Sequence, residues 1–148
     1  MVLPNRSAER AAEFQTEHVS KEQLFARADF LTIHLVLSKR SRGLVGAAEL
    51  GLMKPTAWLV NTSRGPIVVE AALIATLQAK RIAGAAVDVY DIEPLPKDHA
   101  LRKLPNLLAT PHIGYVTERM YRTFYGDTVK NLVAWLDGAE YPQAALPS

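Results

Sequence analysis

Three short segments each hold a side chain of a type that grips carboxylates or moves protons. They are Arg64 in Asn61-Thr62-Ser63-Arg64-Gly65, Glu93 in Asp88-Val89-Tyr90-Asp91-Ile92-Glu93-Pro94, and His112 in Thr110-Pro111-His112-Ile113-Gly114. A guanidinium donates two parallel hydrogen bonds to a carboxylate and stays charged at any working pH. An imidazole, with an ordinary pKa near neutrality, can both take and return a proton. A carboxylate beside it orients the ring and favours its protonated form. Proton-coupled hydride transfer on a 2-hydroxy acid needs these three groups, because the substrate carries a carboxylate next to the reacting carbon. Each residue also has a plainer reading: an Arg bonding nearby carbonyls, a solvated Glu before a proline, a loop His after one. His18 and His99 belong to that plainer class, and Asp91 takes a surface role.

The elements that must position these groups alternate between apolar runs and helical patterns, which points to α/β with a parallel sheet. Ala28 to Val36 reads as a strand rich in β-branched and aromatic residues, Ala57 to Asn61 as a second, Ala83 to Val89 as a third and Asn106 to Ala109 as a short fourth. Ala47 to Met53 reads as a short helix that Lys54-Pro55 ends. Glu70 to Arg81 forms an Ala/Leu-rich helix with Leu73, Ile74 and Leu77 on one face. Gly84 and its neighbouring alanines are expected to let a helix approach closely. Thr117 caps a long final helix with Met120, Tyr121, Phe124, Leu132 and Leu136 expected inward, and Gly138 ends it. Ahead of these, Ser7 to Phe14 reads as a helix, Glu17-His18-Val19 as a brief edge strand, and Ser20 to Gln23 as a capping box. His34 and Leu35, Thr62 to Arg64, Asp88 and His112 all fall at or just beyond strand C-termini, where parallel sheets of this class bind ligands.

The bulk composition narrows the setting. The 148 residues suit one domain, with 49% hydrophobic and 22% charged residues, ordinary for a globular chain. Seventeen basic against 15 acidic residues leave a net charge of +2, too small to imply nucleic acid. The Lys39-Arg40-Arg42 cluster reads as a solvated loop. With no cysteine, disulfides and thiolate chemistry are excluded, and a reducing cytoplasm is the simplest location. No metal site, signal peptide or membrane-spanning run is evident.

From about Asn5 onward, the order and spacing of the three segments resemble the C-terminal half of the nucleotide-binding domain of NAD(P)-dependent D-2-hydroxyacid dehydrogenases. The resemblance implies that Arg64, Glu93 and His112 occupy the catalytic positions. It also implies that Asp88 lies near the nicotinamide ring and that Thr62, Ser63 and Gly114 contact the cofactor, as Arg64 and His112 would too. His34-Leu35-Val36-Leu37-Ser38 resembles the family's His-x-Pro-Leu-Thr, with Leu35 beside the adenosine and Val36 in place of the proline. His34 reads equally as a structural histidine. Arg6 stands where an acidic residue would bind the ribose of NAD and an Arg would take the 2′-phosphate of NADP, so it leans the cofactor toward NADP. As an exposed residue near the terminus, it supports the plainer reading equally.

There is no Gly-x-Gly-x-x-Gly in the sequence and no room for a substrate domain. The expected fold is therefore a partial Rossmann-like parallel sheet with flanking helices, lacking the first glycine-rich βα unit. It would form a single incomplete domain over residues 1–148, with 1–27 poorly anchored, an open edge on the Ala28–Val36 strand, and a tail at 141–148. The activity this implies is hydride transfer between NAD or NADP and a small 2-hydroxy or 2-oxo acid, weak or absent in this chain alone. The alternative is a non-catalytic dinucleotide-sensing binding or regulatory module. For polypeptide partners, the expectation is a homodimer or a missing N-terminal half, with no nucleic acid and no membrane.

Overall fold

A computed structural model of the chain describes residues 8–138; Arg6 and the tail from Tyr141 lie outside them. The apolar runs form four short strands, β1 (Phe30–Ile33), β2 (Trp58–Asn61), β3 (Gly84–Val87) and β4 (Leu107–Ala109). They pair in parallel in the order β1-β2-β3-β4, with β1 at an edge among the described residues. Parallel neighbours need crossover connections. Helix α3 (Ala47–Leu52) supplies the first and α4 (Glu70–Gln78) the second, while a 3-10 turn at Ala100–Lys103 lies between β3 and β4. Ahead of the sheet come α1 (Ala8–Glu13) and α2 (Lys21–Arg27), and α5 (Glu118–Leu136) follows it.

The strand register sorts the side chains into two faces. Leu31, Leu59 and Ala85 form one buried row, and Ile33, Asn61 and Val87 another. Leu24 and Phe25 of α2, Leu50 of α3, and Leu73 and Leu77 of α4 join the apolar members of those rows in one core. On the alternate rows Phe30, Thr32 and Leu108 are exposed, while Trp58, Val60 and Ala86 are half-buried. One face of the sheet is thus covered by helices and the other is more open. Lys21 of α2 reaches Glu49 of α3 at 2.7 Å, and Glu49 in turn accepts the Gly46 backbone N–H at 2.9 Å, which fixes the two helices beside each other.

The chain divides into two compact units, Met1–His112 and Ile113–Ser148. Several expectations change here. Poor anchoring before Ala28 does not extend to α2: the Ser20–Gln23 capping box forms, and Phe25 is 1% exposed. An amphipathic helix carrying two large apolar side chains finds enough of the core to bury them. Helix α5 departs in the opposite direction. Thr117 caps it as expected, but none of its residues is buried; Tyr121, Phe124, Leu132 and Leu136 are exposed and Met120 is half-buried. Its apolar stripe is real, but periodicity says only which side is apolar, not that a partner surface is present. At Gly84, a Cβ would meet the Trp58 ring at 2.4 Å and the Asn106 carbonyl oxygen at 2.7 Å. The close approach there comes from a cross-strand indole and a backbone oxygen rather than from a helix.

Candidate active site

The four strands end in register, with Ile33, Asn61, Val87 and Ala109 side by side in one row. Neighbouring strands lie about 4.8 Å apart, so the ends of β2 and β4 are separated by roughly 10 Å. Within three residues of those ends come Leu35, Thr62 to Arg64, Asp88, and Thr110 to His112. The fold thus delivers Leu35, Thr62, Ser63, Arg64, Asp88 and His112 to a single rim.

At that rim His112 and Glu93 are joined directly, with Nδ1 to Oε2 at 2.6 Å. The other carboxylate oxygen, Oε1, accepts the backbone N–H of Tyr90 at 2.9 Å. The Tyr90 hydroxyl donates to the Thr110 carbonyl at 2.8 Å, and the backbone N–H of His112 reaches the same carbonyl at 3.1 Å. These four bonds close a ring through Thr110, Tyr90, Glu93 and His112. His112 has φ +58°, in the left-handed region, a conformation that costs about 1–3 kcal/mol and persists only when the surroundings enforce it. Burial pushes the Glu93 carboxyl upward, but the bond from His112, the Tyr90 N–H, and the charges of His112 and Arg64 outweigh it, so its pKa lies below the ordinary value. Glu93 is therefore held as a carboxylate.

Arg64 occupies a tightly built turn. Asn61, 1% exposed, accepts the Ser63 N–H at 3.1 Å and donates to the Arg64 carbonyl at 3.0 Å. Gly65 then lies against Tyr90 so closely that a Cβ would come within 2.1 Å of the Tyr90 carbonyl carbon. The Arg64 turn and the Glu93 loop are thereby packed backbone to backbone. Arg64 itself is exposed and donates to the Ser63 carbonyl at 2.6 Å, and its charge contributes to lowering the Glu93 pKa.

The remaining candidates fall into separate groups. The Ser63 hydroxyl donates to the Ile33 carbonyl at 2.7 Å and accepts the Leu35 N–H at 3.2 Å, clamping the loop after β1 to the turn after β2. Asp88 is buried and accepts the Thr110 hydroxyl at 2.5 Å. Thr62 is exposed, and Gly114 belongs to the second unit. His34 pairs with Thr32 at 2.9 Å. His99 accepts the Leu101 N–H at 3.3 Å and meets Glu70 at 3.1 Å, a local structural role. A cleft of about 430 Å³ opens beside the pair, lined by Tyr90, Glu93, Leu95, Arg102, Thr110 and His112 among others. Arg102 is tied by two 2.8 Å bonds to the carbonyls of Leu95 and Pro96. Sequence reasoning missed Asn61, Gly65, Tyr90 and Thr110. The available signals were a polar residue ending an apolar strand and a glycine immediately after the candidate Arg.

Comparison with known proteins places the chain in a family. Residues 1–114 match the family model described as "D-isomer specific 2-hydroxyacid dehydrogenase, NAD binding domain". The chain is 43% identical over 133 residues to glyoxylate/hydroxypyruvate reductase B of Enterobacter agglomerans, covering 88% of this chain and 40% of that relative. It resembles a putative D-3-phosphoglycerate dehydrogenase from Ralstonia solanacearum with a TM-score of 0.85 and 36% identity, over 97% of this chain and 43% of that one. It also resembles a D-isomer specific 2-hydroxyacid dehydrogenase from Xanthobacter autotrophicus Py2, solved in complex with NADPH and MES. There the TM-score is 0.67 and the identity 31%, covering 86% of this chain and 53% of that one. The chain spans 40% of the length of the reductase it matches. With the family model covering well over half its residues, this chain belongs to the D-isomer specific 2-hydroxyacid dehydrogenase family and carries part of that family's NAD-binding domain.

Proposed function

We propose that the chain carries the proton-exchanging and carboxylate-binding groups of an NAD(P)-dependent oxidoreductase acting on a small 2-hydroxy or 2-oxo acid. The observation that carries this reading is the Glu93–His112 pair, 2.6 Å apart at the rim where the strands end in register. With Nδ1–H donated to Glu93, the ring exchanges a proton through Nε2, the tautomer being set by the carboxylate. Glu93, held as a carboxylate, orients the ring. Arg64 holds the substrate carboxylate by its planar fork, exchanging its contact with the Ser63 carbonyl for a charged partner.

A nicotinamide cofactor would supply or take the hydride. The rim suits its reactive end, with Thr62 exposed and Asp88 fixed beside the pair. Ser63 and Leu35 satisfy each other, so their part toward a cofactor is to shape the surface, while Gly114 and Arg6 remain candidates by position. The absence of cysteine fits work in a reducing cytoplasm, and the edge of β1, unpaired among the described residues, suits a further strand from a second copy or from additional chain.

Thermal unfolding with NADH and NADPH, followed by reduction of hydroxypyruvate and glyoxylate, tests the reading. The expected result is an upward shift with at least one nucleotide, since a ligand that binds only the native state stabilises it. Turnover is expected to be slow, because positioning supplies much of the rate and the sequence has no glycine-rich phosphate turn; His112→Gln should abolish it. Indifference to both nucleotides, or turnover that survives His112→Gln, would refute the reading.

A further inference from the structure

Tyr90 belongs to the hydrophobic core, 7% exposed. A phenylalanine would fill the same space, so packing alone does not call for the hydroxyl. Burial, with Asp88 nearby, pushes that hydroxyl's pKa up and keeps it a neutral donor. A buried tyrosine needs a hydrogen-bond partner, and a distant carbonyl would satisfy that need equally well. The acceptor here is instead the Thr110 carbonyl, which also takes the His112 N–H. Thr110 is itself fixed, its N–H on the Val87 carbonyl at 3.0 Å and its hydroxyl on Asp88. From this anchor Tyr90 projects its own backbone N–H to Glu93, and its backbone lies against Gly65.

We propose that Tyr90 is a positioning residue: its hydroxyl, anchored on the carbonyl that also holds the His112 backbone, sets the Glu93 carboxylate against the imidazole. The same anchor keeps the Arg64 turn at a fixed place beside the pair. This deepens the reading of Glu93 and His112 as the proton-exchanging pair and rests on it. Without the hydroxyl the ring of four hydrogen bonds opens at one corner, while the Arg102 bonds to Leu95 and Pro96 and the Gly65 contact still hold the rest of the Glu93 loop.

The charges around the ring are Glu93, Asp88, Arg64 and Arg102. Tyr90→Phe alters none of them, so a changed proton affinity at His112 reports geometry rather than a lost charge. The test is the imidazole nitrogen resonances of His112, followed against pH in the ¹⁵N-labelled full chain. Four proteins are compared: wild type, Tyr90→Phe, Glu93→Gln, and Leu50→Val, which loosens the core at α3. Tyr90→Phe is expected to weaken proton binding at His112 about threefold, as loss of part of one hydrogen bond's worth of coupling would. Glu93→Gln should shift it further in the same direction, while Leu50→Val should lower the unfolding temperature without moving the titration. A Tyr90→Phe curve that superimposes on wild type, or an equal shift in Leu50→Val, overturns the proposal. The readout needs no turnover, so failure of the dehydrogenase reading shows separately, as missing nucleotide binding and activity.

Discussion

Replacing Gly65 with alanine tests how firmly the Arg64 turn and the Glu93 loop are packed together. The new Cβ would lie 2.1 Å from the Tyr90 carbonyl carbon, 2.2 Å from its oxygen and 2.6 Å from its Cα. All three atoms are backbone, so no rotamer change relieves the clash. Ordinary contact begins near 3.4 Å, and the Arg64 turn must therefore move away from the Glu93 loop. A displacement of about 1 Å is needed, and overpacking of this kind typically costs about 1–3 kcal/mol. An obstacle made of backbone places Gly65→Ala near the upper end, about 3 kcal/mol. For a domain of this size, about 4 °C is lost per kcal/mol, so the unfolding temperature should fall by roughly 12 °C. Catalysis should suffer as well, since a misplacement of about 1 Å between reacting groups can cost about 100-fold. Circular dichroism melting gives the first number; hydroxypyruvate reduction, measured where the variant is still folded, gives the second. A midpoint within about 2 °C of wild type would refute the packing argument, because a displaced backbone pair cannot be that cheap.

Two further predictions test the charged groups. Arg64→Lys keeps the charge but loses the fork, so kcat/KM for the carboxylate substrate should fall about 10- to 100-fold, as expected for charge-assisted hydrogen bonds; unchanged efficiency would remove Arg64 from its assigned role. Because the folded-state pKa of Glu93 is depressed, its stabilising effect is present above the ordinary carboxylate range and is lost as pH falls through the lower folded value. Urea midpoints taken between about pH 5 and pH 3 should therefore decline less steeply for Glu93→Gln than for wild type. The difference should be small, since the side chain is 35% exposed and solvent screens it, and identical slopes would contradict the assigned shift.

Much of the fold is written locally. β-Branched runs, the Ser20–Gln23 capping box, the Thr117 cap and the proline after Lys54 each specify an element through sterics or a nearby hydrogen bond, and each lies where these local forces place it. What was not legible depends on surfaces distant in sequence. The Ala28–Val36 run puts apolar side chains, Phe30 and Leu31, on both faces, yet Phe30 is 75% exposed while Leu31 is 5% exposed. The pattern records what a strand can bury, and only the layers present decide what it does bury. The same holds for α5, whose stripe of Tyr121, Phe124, Leu132 and Leu136 is amphipathic but remains exposed.

At the candidate site, Arg64, Glu93 and His112 stand out in the sequence because their chemistry is uncommon, whereas the groups that place them are chemically ordinary. Asn61 reads as the polar end of a strand, Tyr90 as one more core aromatic, Thr110 as a loop residue and Gly65 as a turn. Their roles arise from meetings across the sheet: Tyr90 with Thr110, 20 residues away, and His112 with Glu93, 19 residues away. A register shift of one residue in β4 relative to β3 would turn its side chains to the opposite face and carry His112 away from Glu93. Leu107, packed beside Ala85 against the core while Leu108 is exposed, makes such a shift costly. Burial of apolar side chains on one face of the sheet thus enforces a distance of 2.6 Å between two polar groups at its end. Mutations that loosen the covered face should for this reason weaken proton exchange even where they touch neither Glu93 nor His112, but only when they let β4 slip. A core change that leaves the register intact, such as Leu50→Val, should lower stability and leave the pair as it is.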